Sequence, residues 1–313
     1  MKRSSLNWVA ATLRRTSDED ERKRVRSREE ERRLLALAKR GDPRALQRIL
    51  ATLSNPIYRF GLGFCRDPED AEDLTQDVLL SLSRSLPNLR GDAALTTYAY
   101  AAARNACGRR RRRPAGAPER IESLEDRAFR PGGDEEPADS DGDPLRRVER
   151  RELAAAVRRA IAALPRGQRE AVLLRDIEGL SAREAGSALR IDVRTLKARL
   201  HRGRLALRRA LLPFISPGET AGRRADECPD TALFLSRFVE GELKPADCAR
   251  LQGHVEACPR CALVCRSMRE ALGACRRLRR MPTPRAGRAL RAASRRAADS
   301  PRRRAPLKNP ARV

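Results

Sequence analysis

Residues 114–144 limit what this chain can fold into. Between Pro114 and Pro144 there are ten acidic residues against three arginines (Arg120, Arg127 and Arg130), with Pro and Gly throughout. Such a stretch buries too little apolar surface to offset the entropy of ordering, so it reads as a flexible acidic linker. Folding is confined to the segments on either side. Arg276 to Val313 is its opposite, with fourteen Lys or Arg against the single Asp299, a local charge of +13. With Pro and Ala interspersed, 281–313 reads as a disordered basic tail. That stretch supplies half of the formal charge of +26, so the folded parts are less basic than the pI near 11.2 suggests. Residues 1–30 form a charged arm in which only Leu6 to Leu13 has the pattern of a short helix.

A length of 313 residues fits two or three small domains rather than one large core. The positive balance calls for a polyanionic partner, nucleic acid first and an anionic membrane surface second, because each phosphate neutralised releases counterions. No run approaches the roughly 20 apolar residues that span a bilayer, and the N-terminus lacks the apolar run of a signal peptide. A cytoplasmic address with no membrane partner is therefore expected. In that compartment clustered cysteines more often mean metal or redox chemistry than structural disulfides.

Between the charged segments the periodicity is helical, and no alternating strand pattern appears. Leu34, Leu35, Leu37 and Ala38, then Ala45, Leu46, Ile49, Leu50 and Leu53, recur at three and four residues around the break Gly41-Asp42-Pro43. Asp67-Pro68 opens a helix with its apolar face at Ala71, Leu74, Val78, Leu79 and Leu82, and another helix runs from about Leu95 to Arg113. After the linker, Leu153 to Leu164 and Gln168 to Ile177 read as helices. Ser181 caps a helix through Leu189, with Glu184 completing a capping box, and a short break precedes a helix from Val193 to Leu211. Two helices joined by a three-residue turn, the second bearing Arg194, Lys197, Arg199, His201, Arg202 and Arg204, form the pattern of a DNA-reading helix-turn-helix.

Six of the eight cysteines and one of the two histidines lie between Cys228 and Cys275. The centre, His254-x3-Cys258-x2-Cys261, can place three soft ligands around one ion. A zinc finger of the Cys2His2 kind is excluded, because only His254 is present here. Cys248, Cys265 and Cys275 read either as small buried hydrophobes or as sensor thiols. Cys65 and Cys107 lie on helical core faces.

These residues resemble a family. Asp70-Ala-Glu-Asp-Leu-Thr-Gln-Asp-Val78, Leu89-Arg-Gly-Asp-Ala93 and Thr97-Tyr-Ala-Tyr-Ala-Ala-Ala-Arg-Asn105 resemble region 2 of bacterial extracytoplasmic-function (group IV) sigma factors. Leu164-Pro-Arg-Gly-Gln-Arg-Glu170, Asp176-Ile-Glu-Gly-Leu-Ser181 and Thr195-Leu-Lys-Ala-Arg-Leu-His-Arg-Gly-Arg204 resemble their region 4. The likeness covers roughly 30–212. It implies an all-α protein that directs RNA polymerase core to promoters and is not an enzyme. Its domains would be region 2 at 31–113, the linker at 114–144, region 4 at 145–212, a second linker at 213–227 and a cysteine-rich domain at 228–280.

The resemblance also implies roles. Asp73, Gln76 and Asp77 would dock on the β′ clamp helices of polymerase. Arg90, Asp92, Tyr98, Arg104 and Asn105 would capture a flipped base of the minus-10 element. Arg194, Lys197, Ala198, His201 and Arg202 would face the minus-35 groove. The sequence departs from the family at Tyr98, where Trp is usual, at Ala99 for Leu, at Arg194 for Gly, and at Glu184-Ala185-Gly186 for Glu-Ile-Ala. The cysteine-rich block is similar to the zinc-binding anti-sigma fold, which implies Zn2+ held by Cys228, His254, Cys258 and Cys261. The extra thiols Cys248, Cys265 and Cys275 resemble those of metal-responsive sigma factors, where copper, cadmium or zinc is the signal, and a thiol-disulfide switch is a rival. A regulatory domain on the same chain acts at high effective concentration, so a separate anti-sigma factor is not required. The competing class is a helix-turn-helix repressor or activator that works without polymerase, which leaves Asp70 to Val78 and Tyr98 to Asn105 unexplained.

Overall fold

A computed structural model describes residues 29–65, 68–86, 95–111, 144–216, 218, 228–279 and 283–299. The acidic linker and the 1–28 arm lie outside the described residues. All regular elements among the described residues are helical, as the periodicity requires. They are α1 (29–39), α2 (Pro43–Leu62), α3 (Pro68–Ser85), α4 (Leu95–Arg111), α5 (Pro144–Ala162), α6 (Arg166–Val172), α7 (Ala182–Leu189), α8 (Val193–Ile215), α9 (Thr231–Val239), α10 (Pro245–Ala257), α11 (Pro259–Leu278) and α12 (Pro284–Asp299). Two compact units result, one holding α1 to α4 with α12 and the other holding α5, α6 and α8 to α11.

In the first unit, Gly41 takes φ +92 and Asp42 caps α2, its carboxylate accepting from the Arg44 backbone N–H at 2.8 Å, with Pro43 in the first turn. The apolar stripes close on one another. Ile49, Leu53, Ile57 and Phe60 of α2 are buried, as are Leu74, Val78, Leu79 and Leu82 of α3. Gly61 admits α3 closely: a Cβ there would meet Leu74 at 3.1 Å and Ala71 at 3.3 Å. Helix α4 joins through Tyr100, whose ring lies 5.5 Å from that of Phe60. The Thr96 backbone N–H donates to Glu31 at 3.3 Å.

The tail expectation is corrected here. Residues 284–299, expected to be part of a disordered arm, form α12, which packs against α2 and α3. Ala286, Ala289 and Ala293 share one face at helical spacing and are each no more than 1 % exposed. A face of small residues brings the helix close, so area is buried without large side chains. Ala286 clusters with Tyr58 and Ala71, with Leu62 and Cys65 beside them.

In the second unit, α5 begins at Pro144 rather than near Leu153, and α8 runs on through Pro213 to Ile215. The expected helix from Gln168 to Ile177 is an α-helix that widens into a π turn over Leu173–Ile177. Asp176 lies buried within this turn. Asp192 caps α8, accepting from the Thr195 N–H at 2.8 Å and from its hydroxyl at 2.6 Å. These bonds lower the Asp192 pKa. Gly203 sits where α8 crosses α6, since a Cβ there would meet Val172 at 2.9 Å. Helices α9 and α11 pack on α8, with Leu205 of α8 against the cluster of Ala232, Leu235, Val264, Met268 and Leu272.

Candidate nucleic-acid interface and metal centre

The cysteine-rich segment is built around one convergence. Cys228 precedes α9, His254 lies in the last turn of α10, Cys258 is the residue between α10 and α11, and Cys261 lies in the first turn of α11. Cys258 leaves the helical conformation (φ −117, ψ 105), while its N–H still donates to the His254 carbonyl at 2.9 Å. Pro259 then starts α11, so the chain wraps around a point. The four ligand atoms all lie within 4.8 Å of one another. Sγ of Cys228 is 3.9 Å from Sγ of Cys258, and Nε2 of His254 is 3.2 Å from Sγ of Cys261. A tetrahedral zinc site has edges of roughly 3.8 Å between sulfurs and 3.6 Å between sulfur and nitrogen. The residues therefore fit a four-coordinate metal.

The Cys261 backbone N–H draws the Cys258 thiol below its ordinary pKa, and burial pushes the Cys261 thiol up. Among the described residues, these four make up the Cys, His, Asp and Glu group able to hold a metal ion. Of the candidate sensor thiols, Cys248 is half-buried on α10. Cys265 packs beside the cluster of Cys228, Val255 and Cys261. Cys275 is fully buried, and its fourteen-residue separation from Cys261 along α11 spans about 21 Å. It lies near Asp176 and Arg204, and burial pushes it up to about 12.

Helix α8 carries the positive side chains singled out above, and one face of it is covered by α9. A cleft of about 740 Å³ separates them, lined on one side by Arg194, Lys197, Ala198, His201 and Arg202 and on the other by Arg237, Glu240 and Glu242. Below it, Arg204 is completely buried. Its Nε and Nη2 donate to the Asp176 carboxylate at 2.9 and 2.6 Å, its Nη1 to the Ser236 hydroxyl at 3.0 Å, and its Nη2 to Glu240 at 2.7 Å. Burial works against this charge, but Asp176 and Glu240 more than offset it and raise the pKa above the ordinary arginine value. Glu240 also accepts from Arg175 at 3.0 Å, and Lys197 pairs with Glu242. Arg208 donates to Ser267 of α11 at 2.8 Å. Sequence reasoning placed Arg204 on a basic face and missed this node. The adjoining Gly203, a glycine inside a long helix, was the available signal of a buried face.

In the first unit, Asp73 and Asp77 are exposed on α3 while Gln76 is buried. Helix α12 lies along α3. Glu72 pairs with Arg288 at 3.3 Å and Arg285 at 3.7 Å, and the buried Gln76 amide, oriented with its oxygen toward Arg296, accepts from that guanidinium at 3.0 Å. Thr283 donates to Asn55. Tyr98 and Arg104 are half-buried on α4 and Asn105 is exposed, while Arg90 and Asp92 lie outside the described residues.

Comparison with known proteins finds three family matches. The sigma-70 region 2 profile matches 49–116, the sigma-70 region 4 profile matches 154–207, and a zinc-finger family profile matches 228–262. RNA polymerase sigma-H factor of Pseudomonas aeruginosa is 32 % identical over 193 residues, covering 60 % of this chain and 97 % of its own. The chain belongs to the RNA polymerase sigma factor family. Extracytoplasmic-function (ECF) relatives include SigM of Mycobacterium tuberculosis, 32 % identical over 59 % of this chain and 86 % of its own, and sigma-E of Escherichia coli, 29 % identical over 47 % and 76 %. The region 2 match decides against a helix-turn-helix regulator acting alone. This sigma factor directs transcription initiation, and its relatives are named as RNA polymerase sigma factors. No described helix is long and apolar enough to cross a membrane.

Proposed function

We propose that this ECF sigma factor is held silent by its own C-terminal segment, and that zinc at Cys228, His254, Cys258 and Cys261 fixes the shape of that segment. The observation that carries the reading is α12. It lies on α3, pairs with Glu72 and covers Gln76, one of the three residues assigned to the β′ clamp helices, while Asp73 and Asp77 stay exposed on the same helix. A helix seated there competes with polymerase core for Gln76 and the adjoining surface of α3. The minus-10 element falls to Arg90, Asp92, Tyr98, Arg104 and Asn105, and the minus-35 element to Arg194, Lys197, Ala198, His201 and Arg202. The protein works in the cytoplasm, on promoter DNA and polymerase core, without needing a separate anti-sigma factor.

The ion is a fixed staple in this reading. Four converging ligands of the Cys3His kind suit zinc, and they tie together short helices with a small core. Copper or cadmium as a signal would recruit the remaining thiols, and Cys275 is too far along α11 to reach the same ion. Run-off transcription with core polymerase tests the proposal: removing Asp226 to Val313 frees transcription from the target promoter. Unchanged output, or loss of output from a truncated protein that remains folded, refutes on-chain inhibition.

A further inference from the structure

We propose that the end of α9 is a phosphate surrogate, so that duplex DNA and α9 compete for the same cations of α8. The inference rests on the reading of α8 as the minus-35 helix and goes beyond it. It names a DNA-displaceable seal and the residues that form it.

Glu240, Gly241 and Glu242 form the turn that ends α9. The Gly241 N–H donates to the Phe238 carbonyl at 3.0 Å and the Glu242 N–H to the Arg237 carbonyl at 3.0 Å, with Gly241 at φ +72. This is the glycine-terminated helix end that needs a left-handed residue. The turn aims both flanking carboxylates at α8. Glu242 takes Lys197, a residue of the predicted DNA-reading set, while Glu240 reaches the buried Arg204 and the half-buried Arg175. A carboxylate and a phosphodiester each offer one negative charge on two oxygens, and Arg and Lys donate to either. The seal is incomplete. Arg194 and Arg202 stay exposed at the rim of the cleft, and Arg194, Lys197, Arg202 and Arg237 outnumber its two carboxylates. A polyanion can therefore make first contact at the rim, then exchange its phosphates for Glu242 and Glu240. Promoter DNA helps to open the protein that reads it.

The test uses the full-length, zinc-loaded protein and a short duplex at low salt. Glu240→Gln with Glu242→Gln should raise duplex affinity roughly tenfold, the scale expected for one exposed and one buried charge pair. Because that change also alters net charge, Glu149→Gln with Glu152→Gln on the exposed face of α5 provides the charge-matched comparison and should change affinity far less. Gly241→Ala keeps every charge and has open space for its Cβ, so it acts only through the strained φ that misaims the turn. It should raise affinity by about fivefold, the lower end of what a Cβ-bearing residue pays in the left-handed region. Hydrogen exchange on the unmodified protein gives a readout without substitution: duplex should add protection in α8 and remove it in α9.

Protection of α8 with α9 unchanged overturns the competition while leaving the minus-35 reading standing. No response in either helix overturns the minus-35 reading itself. Equal gains from the Glu240, Glu242 pair and the Glu149, Glu152 pair, with none from Gly241→Ala, also overturn the proposal.

Discussion

Substituting Ala289 with glutamate is the sharpest perturbation of the α12 contact. Ala289 is 1 % exposed and stands midway along the face that α12 presents to α2 and α3. The charged pairs around it, Arg285 and Arg288 with Glu72, are partly exposed and contribute at most about 1 kcal/mol each. Most of the docking free energy therefore comes from close contact of the alanine face. A glutamate there overfills a tight space, at about 1–3 kcal/mol, and its charge is either left unpaired or set against the acidic Glu72. A shift of roughly 3 kcal/mol moves the balance between docked and free α12 by about two orders of magnitude. Helix propensity is little affected, so α12 itself is not the element being removed. The assay is fluorescence anisotropy of labelled protein against core polymerase, with hydrogen exchange reporting whether α12 has left α3. Affinity for core should rise, up to the value reached when α12 is fully free. If exchange shows α12 released and core binds no more tightly than to the parent protein, α12 does not guard the polymerase face and the reasoning fails.

Two further outcomes follow from the second unit. His254→Ala or Cys258→Ser should abolish stoichiometric metal measured by atomic emission, and should raise exchange in α10 and the first turns of α11 before the rest of α11, because that end is held by the ligand cluster rather than by a large core. Cys275 sets an alkaline limit. Its thiol, facing Asp176 on the π turn and Arg204 on α8 with Arg276 and Arg277 on its own helix, is pushed from 9.0 up to about 12 by burial. Above the unfolded value the unfolded chain has lost the proton that the folded one retains, so stability is complete below about pH 9 and falls between about 9 and 12. Cys275→Ala should flatten that decline in denaturant titrations run across the same interval, and an unchanged slope would show that Cys275 does not cause it.

What could be read from the sequence divides along physical lines. The helices of α2, α3 and α8 were legible because their apolar residues are large and periodic, with breaks at Gly41-Asp42-Pro43 and at Arg190 to Asp192 before two of them. The convergence of Cys228, His254, Cys258 and Cys261 was legible because three of them are close in sequence and their spacing allows one helix turn and a loop. Two features were not, and both depend on residues whose role is set by a distant partner. Arg204 looks like its basic neighbours until the π turn at Leu173–Ile177 brings Asp176 beneath it and Glu240 arrives from α9. The α12 helix looks like a disordered arm because its sequence is arginine and alanine, with few of the large apolar residues that signal a core. Alanine is nonetheless the best helix former and the smallest side chain that can line a face. Against a surface with Ala71 and Tyr58 ready to receive it and Glu72 to balance the arginines, that composition suffices to fold and dock. The same economy makes the contact reversible. A face of small residues buries little area, so the helix can be held in place when nothing competes and given up when a larger partner does. Under the proposed on-chain inhibition, a tail that reads as disorder in the sequence is better suited to the task than a large apolar helix, which would not let go.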